Sequence, residues 1–268
     1  MVRYGGRTSS VALGHDGELP SLLLDAGTGL QRYASSFPNE PFRGALLLGH
    51  LHWDHTMGLG FFDAANEGSV DVYIPAQGAP ASVLGRMLGP PFFPLTPHEL
   101  PGRWSFHSLE AGDHTIGDWS VRALDIPHGG GRTFGYRVSD GTATVAYLSD
   151  HSPLQLGDGP EGLGEYHSTA LELARGVDLL IHDAQHRAVE FPAKAYLCHS
   201  AVEYAYALAT KADASRLALF HHDPQRTDDE IDAVVADLTG GPVTVFAAAE
   251  GQTVELGLPV SQSNTAPR

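Results

Sequence analysis

One segment constrains this chain more than any other. A short apolar run, Ala45 to Leu48, stops at Gly49, and His50-Leu51-His52-Trp53-Asp54-His55 follows at once. The run reads as a buried strand, so the fold must deliver its end, crowded with potential ligands, to a place other groups can reach. On extended backbone side chains alternate with period two, and His50 and His52 point the same way. The chain then turns, so Asp54 and His55 can face a second point nearby. Two adjacent metal ions fit this better than one. Imidazole and carboxylate ligands without thiolate suit zinc and admit manganese or iron. His128, Asp150 and His221 also follow apolar runs, which puts each at a strand end where a shared site could form.

Composition narrows the partners. The formal net charge is −16, and the only lysines are Lys194 and Lys211. A strongly acidic surface repels polyanions, so long nucleic acids and anionic membranes are not expected partners. A small anion stays eligible, because bound divalent ions reverse the local potential. Cys198 is the single cysteine. It excludes an internal disulfide and a Cys-rich structural zinc site, and it suits a cytoplasmic location. No apolar run approaches the roughly 20 residues that span a bilayer. The expected partner is a small-molecule substrate, with a homodimer as the one protein assembly left open.

The pattern of elements points to one domain over residues 1–258 and a disordered polar tail over 259–268. In the first half, strands are expected at Thr8 to Leu13, Ser21 to Asp25, Ala45 to Leu48, Val70 to Ile74, Trp119 to Ile126, Phe134 to Val138 and Thr142 to Leu148. The last two are joined by the hairpin signal Asp140-Gly141. Helical signal covers Met57 to Asn66 and Ala79 to Leu88, and the proline-rich stretch Gly89 to Pro101 is irregular. In the second half, helices at Tyr166 to Arg175, Ala201 to Lys211 and Asp228 to Leu238 alternate with strands at Val177 to Ile181, Leu217 to Phe220, Val243 to Ala247 and Thr253 to Leu256. Ser200 is the expected N-cap of the second helix, and Thr227 with Glu230 forms a capping box for the third. The sum is an α/β fold, two sheets packed together with helices outside.

His50-Leu51-His52-Trp53-Asp54-His55 resembles the HxHxDH motif of the metallo-β-lactamase superfamily. Leu23-Leu24-Asp25-Ala26-Gly27-Thr28-Gly29 resembles that family's strand end beneath the metals, and Ile126-Pro127-His128 its third-histidine motif. Leu148-Ser149-Asp150 is similar to its bridging-aspartate strand, and Leu219-Phe220-His221 to its last histidine motif. The resemblance runs in order along nearly the whole chain. It implies a four-layer αββα sandwich. It also implies two divalent ions, one on His50, His52 and His128 and the other on Asp54, His55 and His221, with Asp150 bridging and no organic cofactor. His222 is the rival to His221, which the motif register favours. Members of this kind begin with a further strand before the segment resembling Arg3 to Ser10, so the first edge strand is expected to be lacking or the start misassigned.

Asp178-Leu179-Leu180-Ile181-His182-Asp183, followed by His199-Ser200, resembles the RNase Z and phosphodiesterase branch. There an acidic residue pairs with a histidine near the leaving group. The catalytic residues this implies are Asp54, His199 as general acid, and Asp183 as its partner. The tRNA-gripping arm of RNase Z would fall between Asp150 and the strand at Val177, but that interval is short and acidic. The expectation is therefore a metal-dependent phosphodiesterase on a small or cyclic phosphodiester, using a two-metal-bound hydroxide. The same site could serve a lactonase, thioesterase or β-lactam hydrolase, or a metal-containing ligand-binding protein with little turnover. His151, next to Asp150, is a candidate for supporting the site. Pro90 to Pro94 is a candidate substrate-shaping loop, and Gly129-Gly130-Gly131 leaves room for close backbone approach.

Overall fold

The computed structural model describes residues 2–159 and 161–257; the tail expected from 259 lies outside them. The strands are β1 (Val11–Leu13), β2 (Leu22–Leu24), β3 (Arg43–Leu47), β4 (Ser69–Pro75), β5 (Arg103–Leu109), β6 (Gly112–Ile116), β7 (Trp119–Asp125), β8 (Phe134–Ser139), β9 (Thr144–Leu148), β10 (Leu179–Asp183), β11 (Arg216–Phe220) and β12 (Thr244–Ala247). The helices are α1 (Gln31–Ser36), α2 (Trp53–Thr56), α3 (Pro80–Leu84), α4 (Ser168–Ala174), α5 (Phe191–Lys194), α6 (Val202–Lys211) and α7 (Asp228–Asp237). No helix among the described residues is long and apolar enough to cross a membrane.

Two sheets result. The first runs β1-β2-β3-β4-β5, with β1 antiparallel at its edge and the remaining pairs parallel. The second runs β12-β11-β10-β9-β8-β7-β6. Its β9 to β12 neighbours are parallel and its β6 to β9 neighbours antiparallel. The central strands of both sheets, such as β2 and β10, are buried on both faces, which explains their near-continuous apolar runs. Alternation then sorts the side chains. Leu22, Leu24 and Leu47 of the first sheet meet Tyr136, Val138, Tyr147 and Ile181 of the second in the central layer. Leu23, Leu46 and Leu48 turn the other way, onto Leu30, Tyr33 and Leu59. Leu148, Leu180 and Leu219 turn outward onto α4 and α6 through Leu173, Tyr204 and Leu208. This is the four-layer αββα sandwich.

The strand ends converge. Tyr136 donates its hydroxyl to Leu48 O at 2.7 Å, and Phe134 N–H donates to Gly49 O at 2.8 Å, tying the sheets together where the ligand-rich segment leaves β3. Thr227 caps α7 in the expected box with Glu230.

Several local expectations are corrected. Ser200 does not cap α6; Ala201 holds that position, and the Ser200 hydroxyl donates instead to His151 O at 2.7 Å. The stretch Met57 to Asn66 forms two short 3-10 turns, Met57–Phe61 and Asp63–Ala65, rather than a helix; Gly58 and Gly60 weaken helical propensity there. The helix expected to Leu88 stops at Leu84, before Gly85. Thr253 to Leu256 is not a strand, although Val254 and Leu256 still pack on the central layer. The strands β5 and β6, unforeseen in the sequence, carry polar residues on half-exposed faces.

Candidate metal centre

The parallel strands bring their carboxyl ends to one edge, the usual place for a ligand crevice in such sheets. His50 to His55 leave β3, Asp150 follows β9 by two residues, Asp183 closes β10 and His221 follows β11 directly. Asp25 and His221 each turn out of a strand with positive φ, 59° and 55°. A left-handed backbone on a residue other than glycine costs about 1–3 kcal/mol and persists only where its surroundings hold it. Here the Asp25 amide is held by Leu47 O at 2.9 Å.

All seven expected ligands come together, in two groups that share one carboxylate. His50, His52, His128 and Asp150 form the first, and Asp54, His55, His221 and Asp150 the second; each could hold a metal ion. In the first, Asp150 Oδ2 lies 3.6 Å from His50 Nε2 and 3.5 Å from His128 Nε2. His52 enters through Nδ1, 3.3 Å from His128 Nε2. In the second, Asp150 Oδ1 lies 3.0 Å from His55 Nε2 and 3.4 Å from His221 Nε2. Asp54 Oδ2 closes that group at 3.4 Å from His55 Nε2 and 3.2 Å from His221 Nε2. His222 faces away, with Nε2 3.2 Å from Ala248 O.

The donor atoms fit divalent cations. His50 Nε2, His55 Nε2 and Asp150 Oδ1 are buried without a hydrogen-bond partner. The last two approach to 3.0 Å but without hydrogen-bond geometry, so neither satisfies the other. Leaving such groups buried and unpaired costs about 1–3 kcal/mol each, and a cation between them would satisfy all three at once. Charge agrees. Burial pushes His50 well below its ordinary pKa, helped by the neighbouring His55, and burial also lowers His128. Their neutral rings offer lone pairs. Burial opposes charge on His55 and His221 too. There the carboxylates outweigh it: Asp150 and Asp25 hold His55 well above its usual value, and Asp150 with Asp54 pushes His221 up to about 9. Burial likewise works against ionised Asp54 and Asp150, yet the surrounding imidazoles keep both far below the usual carboxylate range. Protons on His55 and His221 thus stand in for cationic charge that a metal would supply, and loading it would release them.

Beside the cluster, Asp183 Oδ2 accepts from His199 Nδ1 at 2.8 Å. His199 stacks on His221 with ring centroids 4.7 Å apart, and its Nδ1 lies 3.9 Å from Asp150 Oδ2. Burial would lower the His199 pKa, but the Asp183 charge outweighs it and raises it. The His151 and Ser200 amides also donate to Asp183 Oδ2, both at 3.2 Å, so the carboxylate is fixed before it meets the ring.

The family model described as the Beta-lactamase superfamily domain matches residues 21–222, a span that contains every one of these groups. The chain belongs to that superfamily. Among curated relatives of this beta-lactamase superfamily protein, Ribonuclease Z of Natronomonas pharaonis is 25% identical over 94% of this chain and 93% of its own. Ribonuclease Z of Haloferax volcanii is 24% identical over 92% and 89%. Among solved structures, the metallo-beta-lactamase fold protein YhfI from Bacillus subtilis superposes with a TM-score of 0.70 at 20% identity, covering 94% of this chain and 96% of that one. A diphosphatase from the PhnP family gives 0.65 at 20% identity, over 92% and 83%.

This superfamily member supports its histidines with groups the sequence announced only in part. Three rings have their remote nitrogen engaged: His55 Nδ1 by Asp25 Oδ2 at 2.6 Å, His128 Nδ1 by Cys198 O at 2.9 Å, and His221 Nδ1 by the Gln185 amide at 3.1 Å. Such contacts fix tautomer and ring orientation. Asp25 further accepts from Tyr147 OH and Gly49 N–H, both at 2.7 Å. Gly130, at φ +88°, lies under His52; a Cβ there would come within 2.6 Å of His52 Nε2. His151 supports through its backbone, while its ring pairs with His182 at 3.1 Å. Only Asp25 had a motif to mark it. Tyr147 reads as strand filler, Gln185 as a polar loop residue, and a carbonyl such as Cys198 O leaves no trace in sequence.

Proposed function

We propose that the protein is a metal-dependent phosphodiesterase acting on a small or cyclic phosphodiester, with two divalent ions, zinc first among them. His50, His52 and His128 would hold one, Asp54, His55 and His221 the other, and Asp150 both. Two ions held there would lower the pKa of a coordinated water and polarise a phosphoryl oxygen. The rest is the work of the chain. Asp54 Oδ2, 3.4 Å from His55 Nε2 and 3.2 Å from His221 Nε2, would offer its carboxylate to the ion on that side and orient an attacking water. The observation that carries the reading is the His199–Asp183 pair, 2.8 Å apart beside the cluster. With Nδ1 tied to Asp183, the proton open to a leaving alkoxide is the one on Nε2, and the Asp183 charge favours its retention there. Hydrolysis of an ester with a good leaving group needs no such donor.

The relatives named Ribonuclease Z and the diphosphatase support phosphorus as the attacked centre. The Ribonuclease Z names also raise RNA as a substrate. Against it stand the net charge of −16 and the segment after Asp150. Among the described residues, that segment is a 3-10 turn at Pro153–Leu156, a loop that buries Leu163, and α4. The test is a substrate panel at defined zinc content: bis-p-nitrophenyl phosphate, cyclic nucleotides, a 3′-extended tRNA, a lactone, a thioester and a chromogenic cephalosporin. Turnover of small phosphodiesters is the expected result. Turnover confined to the tRNA, or to the carbonyl substrates, would overturn it. His199→Ala should slow an alkyl-leaving diester by about 10²–10⁴-fold and a p-nitrophenyl diester less.

A further inference from the structure

Of the chain's three tryptophans, two are used by the fold. Trp104 Nε1 donates to Pro101 O at 2.8 Å, and Trp119 Nε1 to Ser21 Oγ at 3.0 Å. Trp53 covers no core. It is 70% exposed, and it sits between His52 and Asp54, one from each ligand group. Consecutive Cα atoms lie about 3.8 Å apart, so the indole is rooted one residue from a candidate ligand of each group. Its backbone is pinned: His55 N–H donates to His52 O at 3.1 Å, and Thr56 Oγ1 to the same oxygen at 2.8 Å. A large, exposed aromatic ring is therefore carried on a fixed backbone between a ligand of each group.

The exposure around it is not scattered. Ten large apolar side chains are exposed among the described residues, and six belong to segments that adjoin the ligand cluster along the chain or pack on one that does. Trp53, Met57 and Phe61 follow one another along the segment that leaves the cluster, Phe92 precedes the Phe93 ring that packs on Phe61 at 5.6 Å, and Tyr196 and Leu197 lead into His199. Cationic alternatives close by are committed. Arg132, beyond the glycine run under His52, pairs with Asp125 and Glu110, at 2.7 and 2.8 Å. Arg226, behind Gln185, pairs with Glu190 at 2.6 Å. Arg7 pairs with Glu250. With these cations paired, the exposed aromatic side chains of these segments are the contact they offer to the part of the substrate beyond its phosphate.

We propose that Trp53 is a stacking platform for a nucleobase carried by the phosphodiester, and thereby a specificity-determining residue. The inference rests on the phosphodiesterase reading and deepens it: the preferred substrates are small nucleoside phosphodiesters. Stacking of a base on an aromatic ring tolerates any base, so the selection is for a base as such rather than for a particular one.

The test compares two diesters with one leaving group, p-nitrophenyl thymidine 5′-phosphate and methyl p-nitrophenyl phosphate, on zinc-loaded wild type, Trp53→Ala and Trp53→Phe. Wild type should prefer the thymidine ester. Trp53→Ala should reduce that preference by about 10-fold or more, and Trp53→Phe should keep most of it. A second readout needs no turnover: thymidine 5′-monophosphate should quench wild-type tryptophan fluorescence saturably, and the quench should vanish in Trp53→Phe, which retains Trp104 and Trp119. An unchanged preference, with quenching that survives in Trp53→Phe, overturns the stacking role while phosphodiester turnover itself stands. A shift from dimer to monomer in Trp53→Ala, with the preference intact, assigns the patch to a second copy and also overturns it. Wild type inert on both diesters removes the phosphodiesterase reading and this inference with it.

Discussion

Replacing Asp25 separates the metal site from the fold that carries it. Its carboxylate is fully buried and accepts four hydrogen bonds: from His55 Nδ1, Tyr147 OH and Ser149 Oγ on Oδ2, at 2.6, 2.7 and 3.2 Å, and from Gly49 N–H on Oδ1 at 2.7 Å. Asp25→Ala leaves all four donors buried and unpaired. Breaking a buried charged pair costs about 3–5 kcal/mol, so urea denaturation of the metal-free variant should register a loss of that order. Asp25→Asn is milder but cannot be neutral. Whichever way the amide lies, its NH₂ confronts either Gly49 N–H or the group of donors around Oδ2. Removing a carboxylate that orients a ligating histidine typically weakens metal binding about 10–100-fold. That corresponds to about 1.4–2.8 kcal/mol. Competition with a chromophoric zinc chelator should therefore show one ion of Asp25→Asn, the one on His55, weakened by about that factor. If both variants bind both ions with wild-type affinity, Asp25 does not orient the site and the reasoning fails.

Asp183→Asn removes the charge that raises the His199 pKa. A group that must be protonated works below its pKa and fails above it, so the alkaline limb of kcat/KM for an alkyl-leaving diester should move to lower pH; an unmoved limb would take His199 out of proton donation. Gly130→Ala would place a Cβ 2.6 Å from His52 Nε2 at φ +88°. Elemental analysis should find the metal content down from about two toward one per chain, whereas Gly141→Ala, at φ +89° over open space, should cost stability and leave metal content alone. Asp150→Ala should lose metal from both positions, and retained two-metal occupancy would remove it from the bridge.

What the sequence made legible follows from chemistry with a period. Strands buried on both faces, such as Leu22–Leu24 and Leu179–Asp183, are runs of apolar residues, and their ends betray themselves by an abrupt histidine or aspartate. So His50, His52, Asp54, His55, His128, Asp150 and His221 were readable as a set, and they do converge. The strand Arg103–Leu109 was not, because half its residues face solvent and no alternation is clean. Ser200 looked like a helix cap because serine next to an alanine-rich stretch usually is one. Tertiary structure instead used its hydroxyl to hold His151 O. Contacts made by backbone, such as Cys198 O on His128, lie outside any residue-type pattern. Trp53 could be read only as the filler of a motif until its exposure was known.

One titration tests the two-metal phosphodiesterase most directly. Metal-free protein is loaded stepwise with zinc while hydrolysis of bis-p-nitrophenyl phosphate is followed against bound metal. Seven candidate ligands exceed what one tetrahedral zinc can use, so turnover should stay near zero through the first equivalent and rise to a plateau as the second binds. Full activity in metal-free protein or at one equivalent, or none at two, would contradict a two-metal phosphodiesterase.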